Sequence, residues 1–109
     1  MFNDLDPLLH SQLRLSIVSI LMTVEEAEFT FIKETTGAAA GNISIQIKKL
    51  QEAGYVKVEK TFKNNYPNTT VSMTSKGIKA FEDYVNELKK YIKEKLPQWK
   101  KEVEQASSE

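Results

Sequence analysis

The stretch "GNISIQIKKLQEAGYVKVEK", residues 41–60, changes its periodicity at a single glycine, and that change restricts the fold more than any other feature of the chain. Before Gly54, the apolar residues Ile43, Ile47 and Leu50 recur at i, i+4 and i+7, the stripe of a helix with one buried face. After it, Val56 and Val58, and with them Phe62, fall on one side of an alternating run, while Lys57, Glu59 and Thr61 fall on the other. Gly54 suits the left-handed residue that ends a helix, where a Cβ is costly. The stretch therefore reads as a helix turned directly into a strand, which implies an α+β fold.

The flanking sequence supplies the rest of that fold. Asp6 followed by Pro7 is a helix start, with a capping carboxylate before a proline at the first helical position. Leu9, Leu13, Ile17, Ile20 and Leu21 then predict a first helix from about residue 7 to 22, and the acidic "TVEEAE" follows as a loop. "FTFIKETTG" predicts a short second helix, capped by Thr30 and ended by Gly37. Past the first strand, "KNNYPN" predicts a six-residue hairpin tip, because Pro67 sits poorly inside a central strand. "TTVSMT" returns as a second strand with Val71 and Met73 inward. Thr74 caps a long last helix whose Ile78, Phe81, Val85, Leu88 and Ile92 alternate steps of three and four, the spacing of a helix packed on a helix. Pro97 ends or kinks it, and Trp99 and Val103 form a short amphipathic turn before the chain frays. The expected class is α+β and mostly α: a three-helix core, a β-hairpin and a long C-terminal helix.

Composition excludes several functions. With 109 residues the chain has the size of one small domain, and its ten aromatic residues suffice for one real core. It has no cysteine, so neither disulfides nor thiolate metal sites are available. No apolar run approaches the roughly 20 residues that span a bilayer, and acids stand where a signal peptide would carry cations, so a cytoplasmic protein without a membrane partner is expected. His10 is the single histidine and has no partner at metal-ligand spacing. GxSxG, phosphate-loop and HExxH motifs are all missing, so we expect no enzyme, no cofactor and no metal.

Charge, by contrast, points to a partner. Residues 1–40 hold two cations against six acids, a net −4, whereas residues 41–79 hold seven against two, a net +5. The remaining residues carry six against seven, so a neutral chain has a basic middle, the pattern of a face that meets an anion. That middle includes the helix at Gly41, whose outward positions are Asn42, Ser44, Ile45, Gln46, Lys48, Lys49 and Gln51. Asn42 and Gln46 lie one turn apart and carry amides that can pair with adenine; Ser44 can reach phosphate or base. Lys48 and Lys49, with Lys60 and Lys63 of the hairpin, can meet phosphates. Ile45 falls opposite Ile43 and Ile47, exposed and able to pack on a thymine methyl.

The order helix, helix, turn, helix, strand, wing, strand, long helix resembles the winged helix-turn-helix, and in particular the small MarR-like regulators with one C-terminal dimerisation helix. The residues that carry the resemblance are "LDPLLHSQLRLSIVSIL", "GNISIQIKKLQEAGYV" and "YPNTTVSMTSKGIKAFEDYVNEL", over roughly residues 5–92. It implies a homodimeric transcriptional regulator that binds double-stranded DNA, with the third helix in the major groove and the wing on the backbone or minor groove. It implies a winged-helix DNA-binding domain over residues 1–74, a dimerisation helix over 75–96 and a short flexible tail over 97–109. The dimer seam would draw on Phe81, Tyr84, Val85, Leu88, Tyr91 and Ile92, and a small-molecule effector would find Phe31 and Tyr66 as candidate lining. The sequence also departs from the family. Ala39 and Ala40 replace the usual helix cap, Ile45 and Gln46 stand where relatives carry arginine and histidine, and the wing is poor in arginine. Those departures motivate a rival expectation, a winged-helix protein–protein interaction module that no longer binds DNA.

Overall fold

The computed structural model describes residues 5–95. Four helices and three strands follow one another as α1 (Gln12–Leu21), β1 (Ala27–Glu28), α2 (Phe29–Thr36), α3 (Ala40–Glu52), β2 (Val56–Lys63), β3 (Tyr66–Met73) and α4 (Ser75–Lys95). The three strands form one antiparallel sheet in the order β1-β3-β2. This is the winged helix expected from the sequence, with α1–α3 packed together and the β2–β3 hairpin as the wing.

Each element gives one face to a single core. Ile17, Val18 and Leu21 enter it from α1, Ile32 from α2, and Ile43, Ile47 and Leu50 from α3. Val56 and Val71 close it from the sheet, and Tyr84 reaches it from α4. The stripe at i, i+4, i+7 in α3 is thus the buried one, and Gly54, at φ 79°, makes the left-handed turn into β2. No described helix is long and apolar enough to cross a membrane.

The first helix departs from the expectation. Asp6 does start a turn, its Oδ1 accepting the Leu8 N–H at 2.9 Å and its carbonyl the His10 N–H at 2.9 Å. That turn stops after one winding, because Ser11 is extended (φ −148°, ψ 129°) and α1 begins only at Gln12. The break drops Leu9 into the core, where it is fully buried, and turns the Asp6 carboxylate toward the Tyr55 hydroxyl, which donates to it at 2.5 Å. His10 lies outside α1 and its Nδ1 is hydrogen-bonded to the Tyr84 hydroxyl at 2.9 Å.

Three smaller corrections concern the sheet and its approach. The acidic loop contains β1, whose Ala27 and Glu28 pair with Val71 and Thr70. α2 starts at Phe29, so Thr30 lies inside it and does not cap it; the residue before the helix is Glu28, which makes no side-chain cap bond. The hairpin tip is the two residues Asn64 and Asn65, at φ 52° and 67°, the paired positive values of a type I′ turn. Tyr66 and Pro67 are therefore strand residues, opposite Lys63 and Phe62. In a two-residue hairpin the pair next to the turn shares both backbone bonds, so Pro67 lies at a position whose nitrogen faces away from β2. On that side β1 pairs only with Thr70 and Val71, and no ladder bond is lost. Phe62 keeps the face of Val56 and Val58 but is 78% exposed near the tip, beyond the reach of the core.

The last helix begins as expected. The Thr74 hydroxyl accepts the Gly77 N–H at 3.0 Å and itself donates to the Gly54 carbonyl at 2.5 Å. A Cβ on Gly77 would lie 2.1 Å from the Tyr55 carbonyl oxygen, so glycine here allows α4 to start against the backbone that leaves α3. The expected positions at Pro97, Trp99 and Val103 lie outside the described residues.

Candidate nucleic-acid interface

Burying Ile43, Ile47 and Leu50 forces the remaining faces of α3 outward. Ile45 stands near the middle of the free side and is 55% exposed, and Asn42, Ser44, Lys48 and Lys49 are exposed around it. At 100° per residue, Ser44, Lys48 and Gln51 turn to one flank and Asn42 and Gln46 to the other. The first flank meets the wing. Ser44, Lys48 and Gln51 share an open cleft with Val58, Lys60 and Thr69 of the hairpin, so Lys60 lies on the α3 side of the sheet. No ion pair engages Lys48, Lys49 or Lys60 among the described residues.

Lys63 is placed differently. Its odd number puts it on the sheet face opposite Lys60, and its ammonium pairs with the Glu28 carboxylate at 2.8 Å. The four lysines expected at phosphates thus divide into three on the α3 side and one already matched to an acid.

On the second flank the structure shows a feature that sequence reasoning missed. Arg14 of α1 donates from Nε to the Leu8 carbonyl and from Nη1 to Gln46 Oε1, both at 2.5 Å. Gln46 Nε2 in turn donates to Asn42 Oδ1 at 2.9 Å. Gln46 is half-buried and has both ends of its amide occupied, so it holds its neighbour and is not a free reading group. One signal in the sequence did mark Arg14, which is the only arginine among fifteen basic residues. A planar fork of donors is the side chain suited to holding an amide oxygen in place.

The N-terminal end of α3 has no side-chain cap, as Ala39 and Ala40 predict. The first backbone bond of the helix runs from the Ile43 N–H to the Ala39 carbonyl, so the preceding N–H groups point out of the helix end beside small side chains. On α4, Phe81, Val85, Leu88 and Ile92 are half-buried and Tyr91 is exposed. Tyr84 is 5% exposed and belongs to the chain's own core, which removes it from a seam shared with another copy. Phe31 and Tyr66, the candidate effector lining, stand 49% and 75% exposed on α2 and at the wing tip. No group of three or more His, Cys, Asp or Glu able to hold a metal occurs among the described residues.

Comparison with known proteins agrees with this geometry. The family model described as winged helix DNA-binding domain matches residues 13–92. The chain belongs to that family. An uncharacterized protein of Methanocaldococcus jannaschii is 33% identical over 79 residues, which is 72% of this chain and 86% of that protein. The solved structure of a transcriptional regulator homologue from Pyrococcus horikoshii superposes with a TM-score of 0.73 at 28% identity, covering 78% of this chain and 84% of the other. A mutant MarR of E. coli complexed with operator DNA shares the fold at a TM-score of 0.62 and 16% identity, over 75% of this chain and 58% of that one. This winged helix accordingly shares its fold with MarR, and the Pyrococcus horikoshii protein it resembles is described as a transcriptional regulator homologue.

Proposed function

We propose that the chain is a homodimeric, DNA-binding transcriptional regulator that lays α3 in the major groove. The observation that carries this reading is the placement of Asn42, Ser44, Lys48 and Lys49 on the free side of α3, with Lys60 on the wing surface that shares the cleft. A helix about 10–12 Å across fits a major groove about 12 Å wide, and the open N–H groups at its uncapped end add partial positive charge. The wing then approaches the backbone or minor groove with Lys60, while Lys63 would have to leave Glu28 to take part. That MarR, which shares this fold, is complexed with operator DNA supports the reading of this chain as a DNA binder.

The dimer reading is supported by α4. At about 1.5 Å per residue its 21 residues extend roughly 30 Å, and among those whose burial is described only Gly77 and Tyr84 are buried, which leaves Phe81, Val85, Leu88 and Ile92 half-covered along one stripe. A dimer that reads two half-sites must hold its α3 helices about one DNA turn, 34–36 Å, apart on one face. Replacing Lys48 and Lys49 together by alanine should weaken binding to mixed-sequence duplex and flatten its salt dependence by about two charges per protomer. Unchanged affinity would remove α3 from the interface.

One observation favours a second reading, in which the same face binds a protein. Ile45 is 55% exposed at the centre of the α3 surface, an apolar contact that a partner protein would cover. Recovery of a stoichiometric partner that is lost on Ile45→Glu would support that reading; recovery indifferent to the change would dismiss it.

A further inference from the structure

We infer that Arg14, although it belongs to α1, determines base specificity by fixing which atoms Asn42 shows to the groove. The inference rests on the reading of α3 as the groove helix and deepens it. An arginine guanidinium has only donors, so the Gln46 atom at 2.5 Å from Arg14 Nη1 must be the carbonyl oxygen. That choice leaves the Gln46 NH₂ to face Asn42, and the Asn42 atom 2.9 Å away must accept. Asn42 Oδ1 is therefore engaged along the helix, and the Asn42 NH₂, with its two donors, points outward from an exposed residue. Arg14 itself is held by the Leu8 carbonyl through Nε, so the chain of orientations starts from backbone on the N-terminal turn and ends at the helix surface.

The consequence concerns which base is read. An asparagine recognises adenine by presenting one acceptor and one donor side by side, to N6 and N7. With Oδ1 turned along the helix and one of its two lone pairs taken by Gln46, the NH₂ is the group Asn42 turns to the groove, and that group offers donors alone. Two donors match guanine, whose major-groove edge carries the N7 and O6 acceptors, and reject cytosine, whose edge is a donor. The relay thus converts an amide suited to adenine into a guanine reader, and Gln46 serves as a positioning residue that touches no base.

The test uses selection of the full-length protein on a randomised duplex pool, followed by competition among single-base variants of the selected duplex. The position read by Asn42 is the one whose preference disappears in Asn42→Ala. There the wild type should favour guanine over adenine by about tenfold, the scale of one good base contact. Arg14→Met removes the guanidinium, and Gln46→Glu keeps an acceptor for Arg14 but has no donor for Asn42. Both should bring the guanine-to-adenine ratio to one or below, and because the ratio is taken within one variant, a uniform loss of affinity does not affect it. Circular dichroism confirms that each variant folds, and either variant alone suffices. Preference of the wild type for adenine at that position, or a ratio unchanged in the folded variants, would overturn the inference while leaving DNA binding intact. A pool that yields no enriched sequence and no salt-dependent binding would overturn the inference together with the reading beneath it.

Discussion

The two ends of the β2–β3 hairpin are built in opposite ways. At its base, the Thr74 N–H donates to the Tyr55 carbonyl at 3.1 Å, the Thr74 hydroxyl bridges Gly54 and Gly77, and the Tyr55 hydroxyl reaches Asp6 across 49 positions. At its tip, Asn64 and Asn65 turn the chain and Phe62 and Tyr66 stand 78% and 75% exposed. The base ties the end of α3, the start of α4 and the N-terminal turn into one unit. The tip is held by the backbone ladder and the Lys63–Glu28 pair. From this contrast we expect stability to be concentrated behind the proposed DNA surface, with the residues at the tip contributing little to folding.

Substitutions along the hairpin can break or sharpen that contrast. Gly77→Ala should be the most damaging, because its Cβ would stand 2.1 Å from a backbone carbonyl and 2.9 Å from Met73 Cε. A loss of more than about 3 kcal/mol in urea unfolding is expected, since a backbone neighbour cannot move aside as a side chain can. Thr74→Ala should cost about 1–2 kcal/mol by removing a helix cap and leaving the Gly54 carbonyl without its donor, and Thr74→Ser should recover most of it. A loss below about 0.3 kcal/mol would mean that the base is not the anchor.

Tyr55→Phe should cost about 1 kcal/mol, the scale of one partly exposed hydrogen bond. Its pH dependence is the sharper readout. The hydrogen bond to the Asp6 carboxylate, then partial burial, then the Asp6 charge push the Tyr55 hydroxyl from its ordinary 10 up to about 12. A raised pKa means that the native state holds the proton more tightly. The stabilisation is therefore complete below pH 10 and is lost as pH rises from 10 to about 12, and denaturant midpoints of wild type and variant should converge over that interval. At the tip, Asn65→Gly should gain about 0.5 kcal/mol by relieving a positive φ, and Phe62→Ser should change stability by less than about 0.5 kcal/mol. A Phe62→Ser loss as large as that of Thr74→Ala would show the tip to be packed and abolish the contrast.

What was legible in the sequence follows from how local each cause is. The stripe Ile43, Ile47, Leu50, the turn at Gly54 and the cap at Thr74 depend on neighbours within a few residues, and all three stand as read. Asp6–Pro7 misled because its local signal is genuine, yet the turn is ended by the burial of Leu9 and by the distant Tyr55 hydroxyl. β1 is two residues long, too short for any alternation to show. The hairpin tip was hidden by Pro67, whose tolerance depends on how far β1 extends along the other edge of β3. The interface divides in the same way. Helical phase alone places Ser44, Lys48 and Ile45, whereas the engagement of Gln46 comes from Arg14, 32 positions earlier, and that of Lys63 from Glu28, 35 positions earlier. Hydropathy and charge carry no record of such pairings.

The central claim, that the α3 side of this winged helix is a DNA surface, is tested most directly by fluorescence anisotropy of the full chain on mixed-sequence duplex across a salt series. Three lysines per protomer at phosphates, Lys48, Lys49 and Lys60, predict a slope of log K against log salt of about −5 for a dimer, or nearly −3 for one protomer. A slope near zero, or no binding at low salt, would contradict the claim.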